Sequence, residues 1–576
     1  MPSTPARERM PVELWGLVFR AVLQNIQSRN SADEEGFQLQ ISTLTRLRGV
    51  SKHWNEMILQ DRALWASLPI NIGRSSELVS LLIERSKPMP LAICGHLGRC
   101  AHRDGRFGHG CGTSKKESLK RWLSNLRLLI MDEPRMRIKS LEVCCCNDFS
   151  MIEKFFEQGP CPALKTIRFA IVFSPAEDSY LQLPPSPLLI GTPNLQCLVL
   201  NHTTFSPGPS TTATFKAFSL VHLCILLAAT KCFGMENTSQ WLDLLRTQPK
   251  LQFLTLEIGD GSMSPRVPCR SEPLFLPCLE RLRIVCAMDD MNDFIRSMVL
   301  PPTCNLRIES WDTTGGSRPD GQWQTMQGVN EGIKRYFQSQ STIWGEAGRI
   351  DTPEDIVFCA ITTARLPDPD DPDDYFQIEF NGPSKANPPR RIPYFHFSYI
   401  MSHITEDELA SSDRPTPIEN FFAMMTEATS HWTINHKIGL DLDVDELQLG
   451  DRFFDFCRSL ATNVRTLIFE IPKYSSDYQE RYPLLYLHRK EMVFPVLEHF
   501  VTTLQDDVLV PRESQPYWRR KISDYLDWAQ TQLPSGTARP DLFEDGHSGY
   551  IADVMDEGID YLHRSFCPFC SQGLRR

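Results

Sequence analysis

The densest group of reactive side chains lies between residues 94 and 111, where Cys94, His96, Cys100, His102, His109 and Cys111 stand together among glycines. Thiolate and imidazole are preferred zinc ligands, and four of them in tetrahedral array would make a structural site. Their spacing matches no zinc-finger pattern. The plainer reading is a polar loop after the strand-like Leu91-Ala92-Ile93, with incidental cysteines. A second thiol pair, Cys567-Pro568-Phe569-Cys570, has His563 four residues upstream. Zinc would need another ligand pair beside it. Thioredoxin-type exchange would need a helix starting at the motif, whereas the helix-like stretch Gly549 to His563 precedes it. It reads as a pair of free thiols, and Cys144-Cys145-Cys146 reads as the end of a strand. No G-x-S-x-G elbow, no G-x-x-x-x-G-K-[ST] loop and no H-E-x-x-H helix occurs in the sequence. The expectation is a non-catalytic protein without a cofactor. A zinc-dependent enzyme built on the 94–111 cluster is the lesser alternative.

The elements that would position such groups must come from a large chain. At 576 residues, 41% hydrophobic and 23% charged, it can build several cores or one long array. A net charge of −11 argues against a protein made chiefly to coat nucleic acid or anionic membrane, while leaving room for local basic patches. The longest apolar run, Leu220 to Ala229, is interrupted by His222 and is too short to span a bilayer. Met1 to Arg9 lacks the apolar stretch of a secretory signal. The eighteen cysteines are therefore expected as thiols, in a protein of the cytoplasm, the nucleus or both.

The first helical pattern opens at Met10-Pro11-Val12-Glu13-Leu14, with proline suited to a first turn. Leu14, Leu17, Val18, Ala21 and Val22 recur at helical spacing, and Trp15, Phe19, Val22 and Ile26 form a second set beside them. Such a helix is apolar around most of its circumference and needs cover on two sides. Gln27 to Gly36 reads as a loop. A second pattern follows with Leu44, Leu47, Val50, Trp54, Met57 and Ile58, then Leu64-Trp65 and the strand-like Leu68 to Ile72. By periodicity alone, two amphipathic helices opening an ordinary domain would explain this segment.

The residues themselves say more. Met10-Pro11-Val12-Glu13-Leu14 with Leu17-Val18-Phe19 resembles the opening LPxEL…IF of the F-box, Leu47 to Asn55 resembles its LRxVSKxWN centre, and Leu64-Trp65 its closing LW. Methionine stands at position 10 in place of leucine, and the first connection is somewhat long. The resemblance implies docking onto a Skp-type adaptor and through it onto a cullin–RING ubiquitin ligase. It assigns the adaptor contact to Pro11, Leu14, Leu17, Val18 and Phe19, with Leu47, Val50 and Trp54 in the same motif. Within that set, Val50 and Trp54, with Trp65, are expected to form the module's own core.

Beyond residue 130 one phrase recurs: apolar, two variable, apolar, one variable, apolar. Copies are Ile138/Leu141/Val143, Leu164/Ile167/Phe169, Leu195/Leu198/Leu200, Leu220/Leu223/Ile225, Leu251/Leu254/Leu256 and Leu279/Leu282/Ile284, several with a proline just before. The period of roughly 25 to 31 residues is close to that of leucine-rich repeats. Helix-like segments at Met151–Gln158, Ser239–Thr247 and Asp289–Met298 lie between copies. The fold class predicted is α/β: a small all-α F-box module followed by a leucine-rich-repeat-like solenoid of parallel strands backed by helices. Asn305-Leu306-Arg307-Ile308 would close one turn, and Trp311 to Gly348 reads as a loop-bearing insertion. Strands resume at Ile356–Ala364 and Phe376–Phe380 around the acidic surface loop Asp368–Asp374. Helices follow at Pro417–Thr429 and Asp451–Ala461. Val464/Leu467/Phe469 and Leu497/Phe500/Thr502 repeat the phrase.

The organisation expected is 1–72 F-box module, 73–135 connecting segment with the Cys/His-rich loop, 136–310 repeats, 311–505 irregular continuation with insertions and 506–576 C-terminal cap or tail. As a whole the chain resembles a fungal-type F-box protein with leucine-rich-like repeats. That resemblance implies the substrate-recognition subunit of an SCF (Skp–cullin–F-box) ligase, with an unidentified target protein held on the repeats and neither membrane nor nucleic acid as partner. A repeat scaffold without ligase function is the alternative.

Overall fold

The computed structural model describes residues 11–29, 34–97, 115–145, 156–157, 159–171, 181–183, 192–201, 203–205, 219–228, 238–258, 273–311, 319–340, 357–365, 373–381, 394–402, 416–430, 436–442, 446–471, 488, 491–504, 515–535 and 537–545. The chain divides into two compact units, 1–236 with 557–576, and 237–556, so the division falls inside the expected 136–310 repeat block. No described helix is long and apolar enough to cross a membrane.

The first unit opens with four helices, α1 (Val12–Arg29), α2 (Glu34–Val50), α3 (Lys52–Gln60) and α4 (Arg62–Ala66). The connection expected over Gln27 to Gly36 is shorter, because α1 runs on to Arg29 and α2 starts at Glu34. Then come β1 (Ile70–Asn71), α5 (Ser76–Arg85), β2 (Leu91–Leu97), α6 (Lys115–Ile130) and α7 (Asp132–Arg137). Strands β3 (Ile138–Cys145), β4 (Thr166–Ile171), β5 (Leu181–Leu183), β6 (Cys197–Asn201), β7 (Thr203–Phe205) and β8 (His222–Ala228) complete it. In order β1-β2-β3-β4-β6-β8 they form a sheet in which every neighbour is parallel, and β5 pairs with β7 alongside.

In the second unit α8 (Thr238–Arg246), β9 (Phe253–Ile258), β10 (Leu274–Phe275), β11 (Arg281–Ala287), α9 (Met288–Ser297), β12 (Met298–Val299) and β13 (Asn305–Trp311) alternate strand with helix. They are followed by α10 (Pro319–Ser339), β14 (Val357–Arg365), β15 (Asp373–Asn381), β16 (Phe395–Ser402), α11 (Pro417–Thr429), β17 (His436–Leu442), α12 (Glu446–Ala461), β18 (Val464–Ile471), β19 (His499–Leu504), α13 (Gln515–Gln532) and β20 (Asp541–Asp545). The sheet order is β9-β11-β13-β16-β15-β14-β17-β18-β19-β20, with β10 and β12 paired separately.

The recurring phrases build strands whose apolar anchors stack from one strand to the next. Before several of the strands stands a turn with proline at its second position: Cys161-Pro162, Thr192-Pro193, Gln248-Pro249, Leu276-Pro277, Pro301-Pro302 and Phe494-Pro495. The residue three after the turn's start donates its amide back across, as Leu164 does to Cys161 (3.0 Å) and Leu279 to Leu276 (3.1 Å). Proline sets φ for that position and has no N–H to waste. The next amide then joins the preceding strand: Lys165 to Lys139, Gln196 to Lys165, Glu280 to Gln252, Asn305 to Glu280 and Glu498 to Arg465, at 2.8 to 2.9 Å. The apolar anchors consequently line up. Leu141, Ile167, Leu198 and Leu223 are successive register partners, and Val143, Phe169, Leu200 and Ile225 form the next row. In the second unit Leu254, Leu282 and Leu306 lead into Phe395, and Leu256, Ile284 and Ile308 into Phe397. All of these side chains are buried. At about 1.5–3 kcal/mol each, these rows supply much of the driving force for the array.

Two expectations about the second unit need correction. The strands are not parallel throughout: β15 pairs antiparallel with both β14 and β16. The seven residues between β14 and β15 are too few for the crossover that a parallel pair needs. The stretch Trp311 to Gly348 is not merely a loop, since it contains the 21-residue helix α10. Its Met326, Val329, Ile333, Tyr336 and Phe337 are buried at helical spacing. Its glycines serve close packing: a Cβ on Gly332 would lie 2.2 Å from Cγ2 of Ile295 on α9, and one on Gly328 would collide with Asn292. Strands β16 and β17 were not anticipated, because neither carries the recurring phrase. The helices expected at 239–247, 289–298, 417–429 and 451–461 are present as α8, α9, α11 and the greater part of α12. The last of the expected segments, 506–576, contributes β20, which extends the sheet beside β19.

Candidate functional site

Helix α1 has two opposite apolar faces. Gly16, Phe19 and Leu23 are buried, Phe19 and Leu23 to 1%. At about 100° per residue, Leu14, Leu17, Val18 and Ala21 lie on the far side. Those residues are exposed, Leu17 at 55%, and Val12 and Val22 extend the exposed stretch. The inner face is held by an aromatic cluster in which Trp54 of α3 meets Trp15 at 4.8 Å and Phe19 at 5.0 Å between ring centroids. Gly16 permits close approach to the α3–α4 junction, where an added Cβ would lie 2.9 Å from Oδ2 of Asp61. The junctions themselves are capped: Ser51 Oγ accepts from Trp54 N–H and Asp61 Oδ1 from Leu64 N–H. Trp65 Nε1 donates to Ile58 O at 2.7 Å, which satisfies the buried indole.

The motif residues thus divide by exposure. Pro11, Leu14, Leu17 and Val18 are exposed, Leu47 and Trp54 are half-buried, and Phe19 belongs to the interior. Val50, expected in the module's core beside Trp54, is instead 57% exposed at the end of α2, while Trp65 is buried. Leu39 of α2 adds another exposed apolar side chain. Among the described residues, Leu14, Leu17 and Val18 form an exposed apolar face of α1, a kind of surface suited to protein docking.

Of the six Cys and His residues proposed for metal, Cys94 and His96 lie on β2, while Cys100, His102, His109 and Cys111 are outside the described residues. Burial pushes the Cys94 thiol up to about 12, aided by Glu142 and opposed by Arg74. A thiol held protonated in this way is poorly disposed to bind an ion. Among the described residues no three His, Cys, Asp or Glu side chains are grouped to hold a metal. His563, Cys567 and Cys570 and the acidic positions 368–372 also lie outside them.

A second polar feature was not anticipated from the sequence. On the second sheet the residues alternating with the buried anchors form a ladder of charges. Arg283 Nε donates to Glu309 Oε1 at 2.8 Å and Arg307 Nε to the same oxygen at 2.6 Å, while Arg283 also lies 3.6 Å from Glu257. Burial raises the Glu309 carboxyl, but the two guanidiniums outweigh it and hold it well below the ordinary range. For Glu257 burial prevails over Arg283, and its carboxyl is raised. Beyond them His396 and Glu379 face each other across the antiparallel β15–β16 pair, Nδ1 to Oε2 3.6 Å, both almost wholly buried. Burial, and then Arg307, lowers the affinity of His396 for a proton. Alternation of charge at every second strand position was the available signal, visible in Arg281-Leu282-Arg283 and Asn305-Leu306-Arg307-Ile308-Glu309.

No protein-family model matches the chain, and no curated protein matches it in sequence. The functional reading therefore rests on the residues and their geometry.

Proposed function

We propose that this protein is the substrate-recognition subunit of an SCF-type ubiquitin ligase. In this reading α1 to α4 are an F-box module that docks a Skp-type adaptor and through it a cullin. The strand array is a leucine-rich-repeat-like solenoid, interrupted by the antiparallel β15, that holds the target protein. The chain does no chemistry itself, because ubiquitin transfer belongs to other subunits of the complex. The observation that carries the reading is the exposed face Leu14/Leu17/Val18/Ala21, set opposite the Trp15–Phe19–Trp54 core of a segment whose residues resemble the F-box. An isolated helix pair would gain nothing from a second apolar face; a module that must seat a partner would.

The test is co-purification of the full chain with a purified Skp-type adaptor, against a variant carrying Leu14→Asp and Leu17→Asp. Two carboxylates buried without partners in the interface should abolish capture. Because both side chains are exposed in the free protein, the variant should keep its circular dichroism and its melting temperature. An intact chain that fails to retain the adaptor would remove the F-box reading.

A further inference from the structure

Three polar side chains on one face of the second sheet are enclosed without a hydrogen bond. They are Glu379 of β15, His396 of β16 and Tyr394 just before β16, with 0%, 2% and 9% of their surface exposed. Among the described residues, neither carboxyl oxygen of Glu379, neither ring nitrogen of His396 and not the Tyr394 hydroxyl has a hydrogen-bond partner. Buried polar groups are nearly always paired, so three orphans in one place ask for a cause. They converge. Glu379 and His396 are register partners across the antiparallel pair. Tyr394 precedes His396 by two positions, on the same side of the strand. Its ring stacks on the imidazole at 6.3 Å between centroids, and the Glu379 carboxyl, after burial, is what holds its phenolic proton.

The spacing of the pair is informative. His396 Nδ1 stands 3.6 Å from Glu379 Oε2. A direct hydrogen bond would close to roughly 2.7–3.2 Å. Two ligands of one zinc ion, each about 2.0–2.2 Å from it, lie about 3.3–3.6 Å apart at the tetrahedral angle. Elsewhere on this face, charged partners do close up: Arg307 Nε reaches Glu309 at 2.6 Å and Arg283 Nε reaches it at 2.8 Å. Arg307 is the register partner of His396 on β13, but its charge is already met by Glu309. Among the described residues no arginine or lysine meets Glu379, and an enclosed carboxylate without a cation is costly. Burial, and then Arg307, keeps His396 neutral, which is the form that binds metal.

We propose that Glu379, His396 and Tyr394 hold a transition-metal dication of the zinc type, which ties the reversed strand β15 to β16. Imidazole beside carboxylate suits such an ion. Calcium takes six to eight oxygens, and magnesium keeps several waters, for which an enclosed site lined by an imidazole is poorly made. The ion is structural in this role, and the proposal is independent of adaptor docking.

The experiment strips the full chain of metal with a chelator, dialyses it, and titrates it with Co2+ and then Zn2+. One equivalent of Co2+ should bind with a visible spectrum that lacks thiolate charge transfer, be displaced by Zn2+, and raise the melting temperature. Cobalt held by cysteines elsewhere would carry the charge-transfer band and is counted apart. Glu379→Gln and His396→Asn should each lose that equivalent. Tyr394→Phe, which keeps the ring packing, should bind it about tenfold more weakly. An unmodified chain whose cobalt all carries thiolate charge transfer, or that binds none, would overturn the proposal. So would an equivalent that persists unchanged in the Glu379 and His396 variants, or an unchanged affinity in Tyr394→Phe.

Discussion

The N-terminal helices and the polar face of the second sheet invert the usual distribution of side chains in opposite directions. On α1, leucine and valine are exposed while the residues that hold the module together lie on the other side. On β11, β13, β15 and β16, arginine, glutamate and histidine are largely enclosed: Glu379 and His396 are 0% and 2% exposed, and Glu309 is shared by two guanidiniums. Exposed apolar surface lowers solubility and gains nothing until something covers it. Enclosed charge costs desolvation at once and must be met inside the same protein. The first pattern fits the proposed docking of a partner, whereas in the second Glu309 is met by Arg283 and Arg307 within the same sheet.

The sharpest way to break this comparison is to truncate one residue from each side of α1. Phe19→Ala should cost about 3–5 kcal/mol, because it empties the centre of the aromatic cluster, and should abolish adaptor capture through loss of the fold. Leu17→Ala should leave the melting temperature nearly unchanged and weaken capture alone. Equal destabilisation by both would show that the exposed face is covered within the chain. Next in size, Glu309→Gln should cost about 2 kcal/mol in chemical denaturation, since it leaves Arg283 and Arg307 together without their common carboxylate. A neutral outcome would mean that solvent already satisfies those arginines.

Acid should weaken the second sheet in two stages, with the same sign. His396 binds its proton less readily in the fold than in the unfolded chain, so the unfolded state takes up protons first as pH falls through about 6.5. The contribution of neutral His396 is therefore present above that pH and is lost below it. Glu309 is depressed, so its contribution is present above about 4.5 and is lost as pH falls further. Denaturation midpoints at pH 7.5 and 5.5 should differ less in His396→Asn than in the unmodified protein. The smallest effect belongs to an exposed pair at the strand ends: Arg465→Ala, which removes the 3.1 Å contact to Glu498, should change stability by less than about 1 kcal/mol.

How much of this was legible depended on whether a local pattern carried the information. The recurring apolar phrase with its proline announced β4, β6, β9, β11 and β19 because strand geometry and turn geometry are both local. Helix α10 was hidden by Gly328 and Gly332, which look like loop residues until Ile295 and Asn292 of α9 are seen against them. Strand β15 was legible as a strand at 376–380, but its direction was not, since direction is set by the connections and neighbours. Helical spacing showed Leu14, Leu17 and Val18 as part of an apolar stripe, and their proposed docking role came from the resemblance to the F-box. The exchange of roles between Val50 and Phe19 could not: Val50 ends a helix and faces solvent, whereas Phe19 is drawn inward by Trp15 and Trp54.

By itself the sequence determined the strands that carry the recurring phrase, their period and the two-sided character of the first helix. These follow from side-chain spacing and charge along one segment, which no later packing can alter. The tertiary structure alone decided which of the two apolar faces of α1 stays open. It also decided which strand runs against its neighbours, and that Arg283 and Arg307 converge on Glu309 from separate strands. Those outcomes depend on residues brought together from distant parts of the chain, where burial and charge pairing are settled only once the neighbours are in place.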